Sequence, residues 1–556
     1  MHHTTRDDRD FHVYDTTLRD GAQQEGLNLS VADKLAIARH IDGLGVGYIE
    51  GGWPGSNPKD TEFFARARDE LDLRHATLAA FGATRRAGVR AADDPLVAAL
   101  RDSGASVVTL VAKAHDRHVE LALRTTLQEN LAMVRDTVGH LRAEGQRVFL
   151  DAEHFFDGYR ANRDYALEVV RTAAEAGAEV VALCDTNGGM LPSWLGDVVA
   201  DVHASLAPDV RVGIHCHNDT GCAVANTLTA VEAGATHVQG TLNGYGERTG
   251  NADLVAVVAN LELKLDTPVL VDGLLSEATR IAHAVADVTN FPPASRQPYV
   301  GTSAFAHKAG LHASAIKADP NLYQHLDPLR VGNDMRLLVS DMAGRASIEL
   351  KGRELGFDLA ADPDLVKRVT ARVKDLESRG YTFEAADASF ELLLVEEVEG
   401  ARPSYFEVEA WRVLTDSRPG QEAGSEATVK LRAGGARIVS VGEGNGPVNA
   451  LDQALREAIG KAFPEVAKLE LIDYKVRILD PVLPGGHGTD AITRVLIETS
   501  DGLSSWVTVG VGHNVIEASW EALVDAVVFG LRRHDDPDSS AILRPSQAGR
   551  PRTNRG

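Results

Sequence analysis

Cysteine is scarce in this sequence: Cys184, Cys216 and Cys222 are the only three in 556 residues. Three thiols cannot build a disulfide framework, and their rarity points to a reducing compartment. Positive charge is short as well. With 57 lysines and arginines against 80 aspartates and glutamates, the net charge of −23 argues against a nucleic-acid or anionic-membrane partner, and any acidic metabolite would need a locally positive site. No apolar run is long enough to cross a bilayer, and the N-terminal MHHTTRDDRD carries no signal-peptide segment. These absences predict a cytoplasmic protein. Hydrophobic residues at 44% and charged residues at 25% are ordinary globular values, and the length calls for several structural units.

From residue 10 to about 265, short β-rich runs alternate with amphipathic stretches of helical length, the pattern of parallel βα units. Eight strands are predicted, at 11–18, 48–53, 76–81, 107–112, 148–153, 180–184, 211–217 and 237–242. Eight parallel units favour a closed barrel over an open sheet. The junctions LGVGYIE, SGASVVTL, AGAEVVALC and AGATHVQG each put a glycine where a helix ends and the chain turns back into the sheet. Ser30 and Asn162 precede helical patterns as N-caps.

Residues 266–395 read as helices with irregular connections. Within them, 305–326 (FAHKAGLHASAIKADPNLYQHL) is either a plain helical linker or a subdomain segment that reaches back over a site. Residues 396–535 contain an internal repeat: 440–459 aligns without a gap on 508–527, sharing VGxG, then Ala450 and Ala518, then Ala454-Leu455 and Ala522-Leu523. Each copy reads as strands, a glycine turn and a helix, so the domain is predicted to be two related halves packed on each other. Its glycine turns either bind an anionic ligand or simply make turns. The tail 536–556, basic and rich in Pro, Ser and Gly from residue 541 on, is expected to be disordered.

Chemistry-bearing residues gather at the predicted strand ends. Arg19 and Asp20, in DTTLRDG, follow strand one at the catalytic end of a barrel, where a carboxylate can hold a divalent metal and a guanidinium can bind an oxyanion. The pair also fits a local ion pair. His215 and His217 lie two apart on an apolar strand, so both face one side and Cys216 the other. They read as hydrogen-bonded core histidines or, with Asp20, as a two-histidine, one-carboxylate metal site. Glu153 and Thr186 end strands five and six, where a carboxylate suits proton transfer and a hydroxyl suits binding a substrate carboxylate. The loop NGYGERTGNAD after strand eight lacks the spacing of a nucleotide fingerprint.

DTTLRDG, HCHND, GERTGNAD and FAHKAGLHASA together resemble the metal-dependent synthases that condense acetyl-CoA with a 2-oxo acid, the family of 2-isopropylmalate, homocitrate and citramalate synthases. IEGGWPGSNPKD, residues 49–60, is similar to the long citramalate synthase branch. The resemblance covers nearly the whole chain. It implies an α/β fold: a (β/α)8 TIM barrel over 1–265, helical linker subdomains contributing to the active site over 266–395, and an α+β regulatory domain of two βββα repeats over 396–535. By position it implies that Asp20, His215, His217 and Asn251 bind a divalent metal, Mg²⁺, Mn²⁺ or Zn²⁺. Arg19, Gln23 and Thr186 would hold the oxo acid, with Arg19 also stabilising the enolate of acetyl-CoA. Glu153, His312 and Tyr323 would belong to the proton-transfer machinery.

For the citramalate branch, the oxo acid would be pyruvate and the product (R)-citramalate, in threonine-independent isoleucine biosynthesis. Isoleucine or leucine would be the feedback effector, and the assembly a homodimer. The rivals are a sister synthase with a larger oxo acid, a lyase that cleaves 3-hydroxy-3-methylglutaryl-CoA on the same barrel, and a non-catalytic amino-acid sensor.

Overall fold

All eight predicted barrel strands are present in the computed structural model, which describes residues 11–340, 344–417, 419, 422–479, 492–535 and 544–545. They are β1 (His12–Asp15), β2 (Tyr48–Glu50), β3 (Thr77–Ala83), β4 (Val107–Lys113), β5 (Arg147–Glu153), β6 (Val180–Asp185), β7 (Arg211–Cys216) and β8 (His237–Gly240). Each pairs in parallel with the next, and β8 closes on β1 in the register His12↔His237 to Asp15↔Gly240. The first strand is shorter than the predicted 11–18. The Thr16 carbonyl accepts the N–H groups of Arg19, Asp20 and Gly21 at 3.2, 2.9 and 3.1 Å, so the chain turns there and presents Arg19 and Asp20 just past the strand's C-terminal end.

Local chemistry sets the helix boundaries. Ser30 accepts from the Asp33 N–H while the Asp33 carboxylate accepts from the Ser30 N–H, a capping box that starts Val31–Gly43. Asn162 caps Arg163–Glu175 by accepting from the Tyr165 N–H. At the other ends of such helices, Gly177 and Gly234 take φ of +103° and +108°, a left-handed turn that a side chain would strain.

Two layers of core result from strand alternation. Outward residues such as Val13, Ile49, Val108, Leu150, Val181, Ile214 and Val238 pack against the helices, with Ile37, Ile41, Val134 and Val169 among their partners. Each such burial contributes about 1.5–3 kcal/mol. Inward residues Tyr14, Tyr48, Val107, Phe149 and Val180 fill the barrel.

The chain forms two compact units: one takes in residues up to Phe305 together with Leu326–Asp334, the other Ala306–His325 and the chain from Met335 on. In the first, the helix Ala278–Thr289 adds Ile281, Ala282 and Val285 to the barrel's outer core. The second opens with the short parallel pair β9 (Ala306–His307) and β10 (Arg336–Leu337) and continues through the helices Arg345–Glu354, Pro363–Ser378 and Asp387–Glu399.

The predicted repeat follows as two βββα halves. Strands β11 (Phe406–Asp416), β12 (Gly424–Ala433) and β13 (Ala436–Gly444) precede the helix Pro447–Ile459. Strands β14 (Glu470–Ile478), β15 (Thr493–Ser500) and β16 (Ser504–Gly512) precede Val515–Asp535. Gly442 and Gly510 hold equivalent places in the two halves. A Cβ at either would run into helix backbone, at Ala450 and Ala454 or at Ala518 and Ala522, so the shared VGxG is a packing requirement. Leu431, Leu451 and Leu455 of one half and Val495, Ile497 and Leu523 of the other belong to one core. Within the expected tail, β17 (Arg544–Pro545) pairs with β16; the remainder, 536–543 and 546–556, lies outside the described residues.

Candidate active site

Period-two alternation assembles the site. On β5, Phe149 fills the barrel interior, and Asp151 and Glu153 then line a cleft of about 640 Å³ at the C-terminal strand ends. On β7, His215 lines the same cleft with His217 just beyond it, whereas Cys216 packs outward into the apolar layer.

His215 Nε2 lies 3.2 Å from Asp20 Oδ2, His217 Nε2 lies 3.8 Å from the same oxygen, and the two Nε2 atoms are 3.4 Å apart. All three side chains are buried, with donor atoms within 4.8 Å of one another. Burial disfavours charge on Asp20, but the Arg19 guanidinium and the His215 hydrogen bond outweigh it and hold the carboxyl well below its usual range. Burial also opposes charge on His215, and the bond to Asp20 overrides it, raising the pKa. His217, buried beside His215, is pushed down to about 4.

Asn251 pairs with His217 in an isolated bridge and is buried. Its Nδ2 donates to the Tyr245 carbonyl at 3.0 Å, and its Oδ1 has no hydrogen-bond partner. A buried, unpaired acceptor on the residue bridged to His217 fits a divalent cation, whose ligand set these four residues would supply.

Arg19 is fixed on three sides. Its Nε donates to Glu50 Oε2 at 2.5 Å, its Nη1 lies 3.4 Å from Asp20 Oδ2, and its guanidinium stacks on Phe81 at 3.8 Å from the ring centroid. Burial works against its charge, but Glu50, Asp20 and Asp151 more than compensate, so Arg19 stays protonated. Tyr14 Oη donates to the other Glu50 oxygen at 2.8 Å. Glu153 is ion-paired with Lys113. Thr186 Oγ1 accepts the His154 N–H at 2.8 Å, which leaves the hydroxyl hydrogen free to donate into the cleft. Arg248 donates to the Thr186 carbonyl and to Asp219, both at 2.8 Å, tying together the loops after β6, β7 and β8. Gln23 is exposed and lines the cleft.

His312 and Tyr323 belong to the second unit. Their rings stack with centroids 4.1 Å apart, and His307 lies 6.0 Å from His312. The structure therefore groups these two with each other, and it brings Arg19, Asp20, Gln23, Glu153, Thr186, His215 and His217 together in the barrel cleft.

Three family models match successive parts of the chain: HMGL-like over 10–285, homocitrate synthase post-HMGL domain-like over 299–381, and LeuA allosteric (dimerisation) domain over 384–531. The (R)-citramalate synthase of Streptomyces coelicolor is 68% identical over 530 residues, covering 95% of this chain and 98% of that relative. The chain belongs to the (R)-citramalate synthase family. Its similarity to the Synechocystis (R)-citramalate synthase is 48% identity over 94% of this chain and 96% of the relative. A probable 2-isopropylmalate synthase of Methanopyrus kandleri stands at 33% over 94% and 99%.

Reading the sequence for this family's motifs missed Glu50, Lys113, Asp151 and Gln239. All four sit at inward strand positions, and the alternation of FLDAE (residues 149–153) and HVQG (residues 237–240) was the available signal.

Proposed function

We propose that the protein is an (R)-citramalate synthase: it joins the methyl carbon of acetyl-CoA to the keto carbon of pyruvate and hydrolyses the thioester, releasing (R)-citramalate and CoA. The observation that carries this reading is the 68% identity to a curated (R)-citramalate synthase over 95% of the chain, in a chain whose cleft holds the Asp20–His215–His217 cluster beside Arg19. Five relatives at 42–68% identity bear that name, which favours pyruvate over a larger oxo acid.

Asp20, His215, His217 and Asn251 would hold a divalent cation, which would supply Lewis-acid polarisation of the oxo acid. The oxygen donors suit Mg²⁺ or Mn²⁺, and the two imidazoles also suit Zn²⁺. Arg19, kept charged and immobile by Glu50, stabilises negative charge where it develops on the thioester and keto oxygens. Thr186, its lone pair engaged by His154, donates to the pyruvate carboxylate, and Gln23 contacts the substrate from the rim. Glu153, His312 and Tyr323 carry the proton transfers.

In this reading 1–265 is the catalytic domain, 266–395 the linker subdomains, 396–535 the regulatory domain and 536–556 a tail. The regulatory domain binds isoleucine or leucine and contributes to a homodimer. Support comes from the LeuA allosteric (dimerisation) match and from apolar side chains left exposed there, such as Val439, Val441, Val476 and Ile478. The pathway is threonine-independent isoleucine synthesis, and three free cysteines suit the cytoplasm.

The test is metal content after dialysis, paired with CoA release from acetyl-CoA and pyruvate. Stoichiometric cation and cation-dependent release support the reading; metal-independent release refutes the site, and no release from metal-loaded protein refutes the activity.

A further inference from the structure

Beneath the proposed cation site, the barrel interior is polar. Gln239, on β8, is buried, and both ends of its amide are hydrogen-bonded. Its Oε1 lies 2.8 Å from His215 Nδ1. Its Nε2 lies 2.8 Å from Asp151 Oδ1 and 3.3 Å from His237 Nε2. The Asp151 carboxylate can only accept when ionised, and His237, kept neutral by burial beside His12, accepts on Nε2 in its Nδ1–H tautomer. The carboxylate, at the shorter distance, therefore fixes the amide the one way round: Nε2 faces Asp151 and His237, and the carbonyl points to His215. A carbonyl facing Nδ1 requires a hydrogen there, so Nε2, 3.2 Å from Asp20 Oδ2 and 3.4 Å from His217 Nε2, is the nitrogen that would give up its proton to a cation.

We propose that Gln239, oriented by Asp151 and His237, is a positioning residue that locks His215 in the Nδ1–H tautomer and so commits its Nε2 to the divalent cation. This rests on the cation-site reading above. Outer partners of this kind typically govern metal affinity by 10–100-fold. The three contributing strands, β5, β7 and β8, come from separate βα units, so the lock exists only once the barrel has closed.

The experiment measures Mn²⁺ affinity by calorimetry on chelator-treated full-length protein, for wild type, Gln239→Leu and Asp151→Asn. Gln239→Leu is expected to weaken binding about 10–100-fold. Asp151→Asn retains an oxygen to accept from Gln239 Nε2, and its affinity stays within a few-fold of wild type. In Zn²⁺-loaded, ¹⁵N-histidine-labelled wild type, His215 Nδ1 should show a bonded proton and Nε2 the ligated shift; this spectroscopic readout needs no variant to fold. Unchanged affinity in Gln239→Leu, or ligation through Nδ1, overturns the lock while leaving the cation site standing. Failure of wild type to bind Mn²⁺ overturns the cation site itself and the lock with it.

Discussion

Arg19 Nε and Glu50 Oε2 meet at 2.5 Å, with the Glu50 side chain entirely buried. The first residue follows β1 and the second ends β2, so neighbouring strands make a charge pair whose anion has no access to water. Removing one partner of a buried pair leaves the other uncompensated. Glu50→Ala is therefore expected to destabilise the protein by about 3 kcal/mol, the lower end for a broken buried pair because Asp20 still faces Arg19. Urea unfolding measures it, and kcat/KM should fall as Arg19 loses its anchor. A change under about 0.5 kcal/mol would show that the pair is not a structural support.

The cation site predicts a dependence on each of its anchors. Polarising a carbonyl would be worth several kcal/mol. Asp20→Asn and His217→Gln should thus each lower kcat/KM by about 10³-fold or more, at roughly tenfold per 1.4 kcal/mol. Chelator treatment of wild type should match them and be reversed by Mg²⁺ or Mn²⁺. Steady-state assays alongside elemental analysis decide the matter, since a fully active metal-free protein would contradict the assignment.

A buried carboxylate makes barrel stability pH-dependent. Asp15 is raised to about 7, chiefly by burial, with the Thr17 N–H and hydroxyl bonds only partly offsetting it. A folded pKa above the unfolded value of about 3.9 means that the folded state holds the proton more tightly. The stabilisation is present below pH 4 and is lost as pH rises through about 7. Relative to Asp15→Asn, wild type should lose about 3 kcal/mol of unfolding free energy between pH 5 and 8, at roughly 1.4 kcal/mol per unit. Parallel stability profiles for the two proteins would show that Asp15 does not titrate in this window.

The C-terminal repeat can be cut away at a defined place. Phe390, Leu393 and Leu394, on the helix Asp387–Glu399, belong to the core of the helices before the repeat, so a cut inside that helix would damage what remains. Gly400, at φ +78°, ends it. Truncation after Gly400 should leave measurable turnover and abolish inhibition by isoleucine or leucine. Inhibition that survives the truncation would place the effector outside the repeat.

Much of this was legible in the sequence for reasons that are local. Ser30 and Asn162 cap helices through contacts three residues away, the two histidines share a face because side chains alternate along a strand, and the repeat shows itself as matching glycines that a helix must touch. Asp20 was readable because a motif marks it. Glu50, Asp151 and Gln239 carried no such mark. Gln239 bonds Asp151 across 88 positions of sequence, and only the closure of β8 onto β1 and the barrel register bring those residues together. The strand ends were overdrawn for the same reason in miniature: 11–18 is rich in β-forming residues, but Thr16 collects three N–H groups and turns the chain after Asp15.

The most direct test of the central claim is the rate of free CoA release from acetyl-CoA, with Mg²⁺ or Mn²⁺ present, across pyruvate, 2-oxobutyrate, 2-oxoisovalerate and 2-oxoglutarate. The account predicts the highest kcat/KM with pyruvate and loss of turnover on chelation. A preference for 2-oxoisovalerate or 2-oxoglutarate, or no turnover with any of the four in metal-loaded protein, would contradict it.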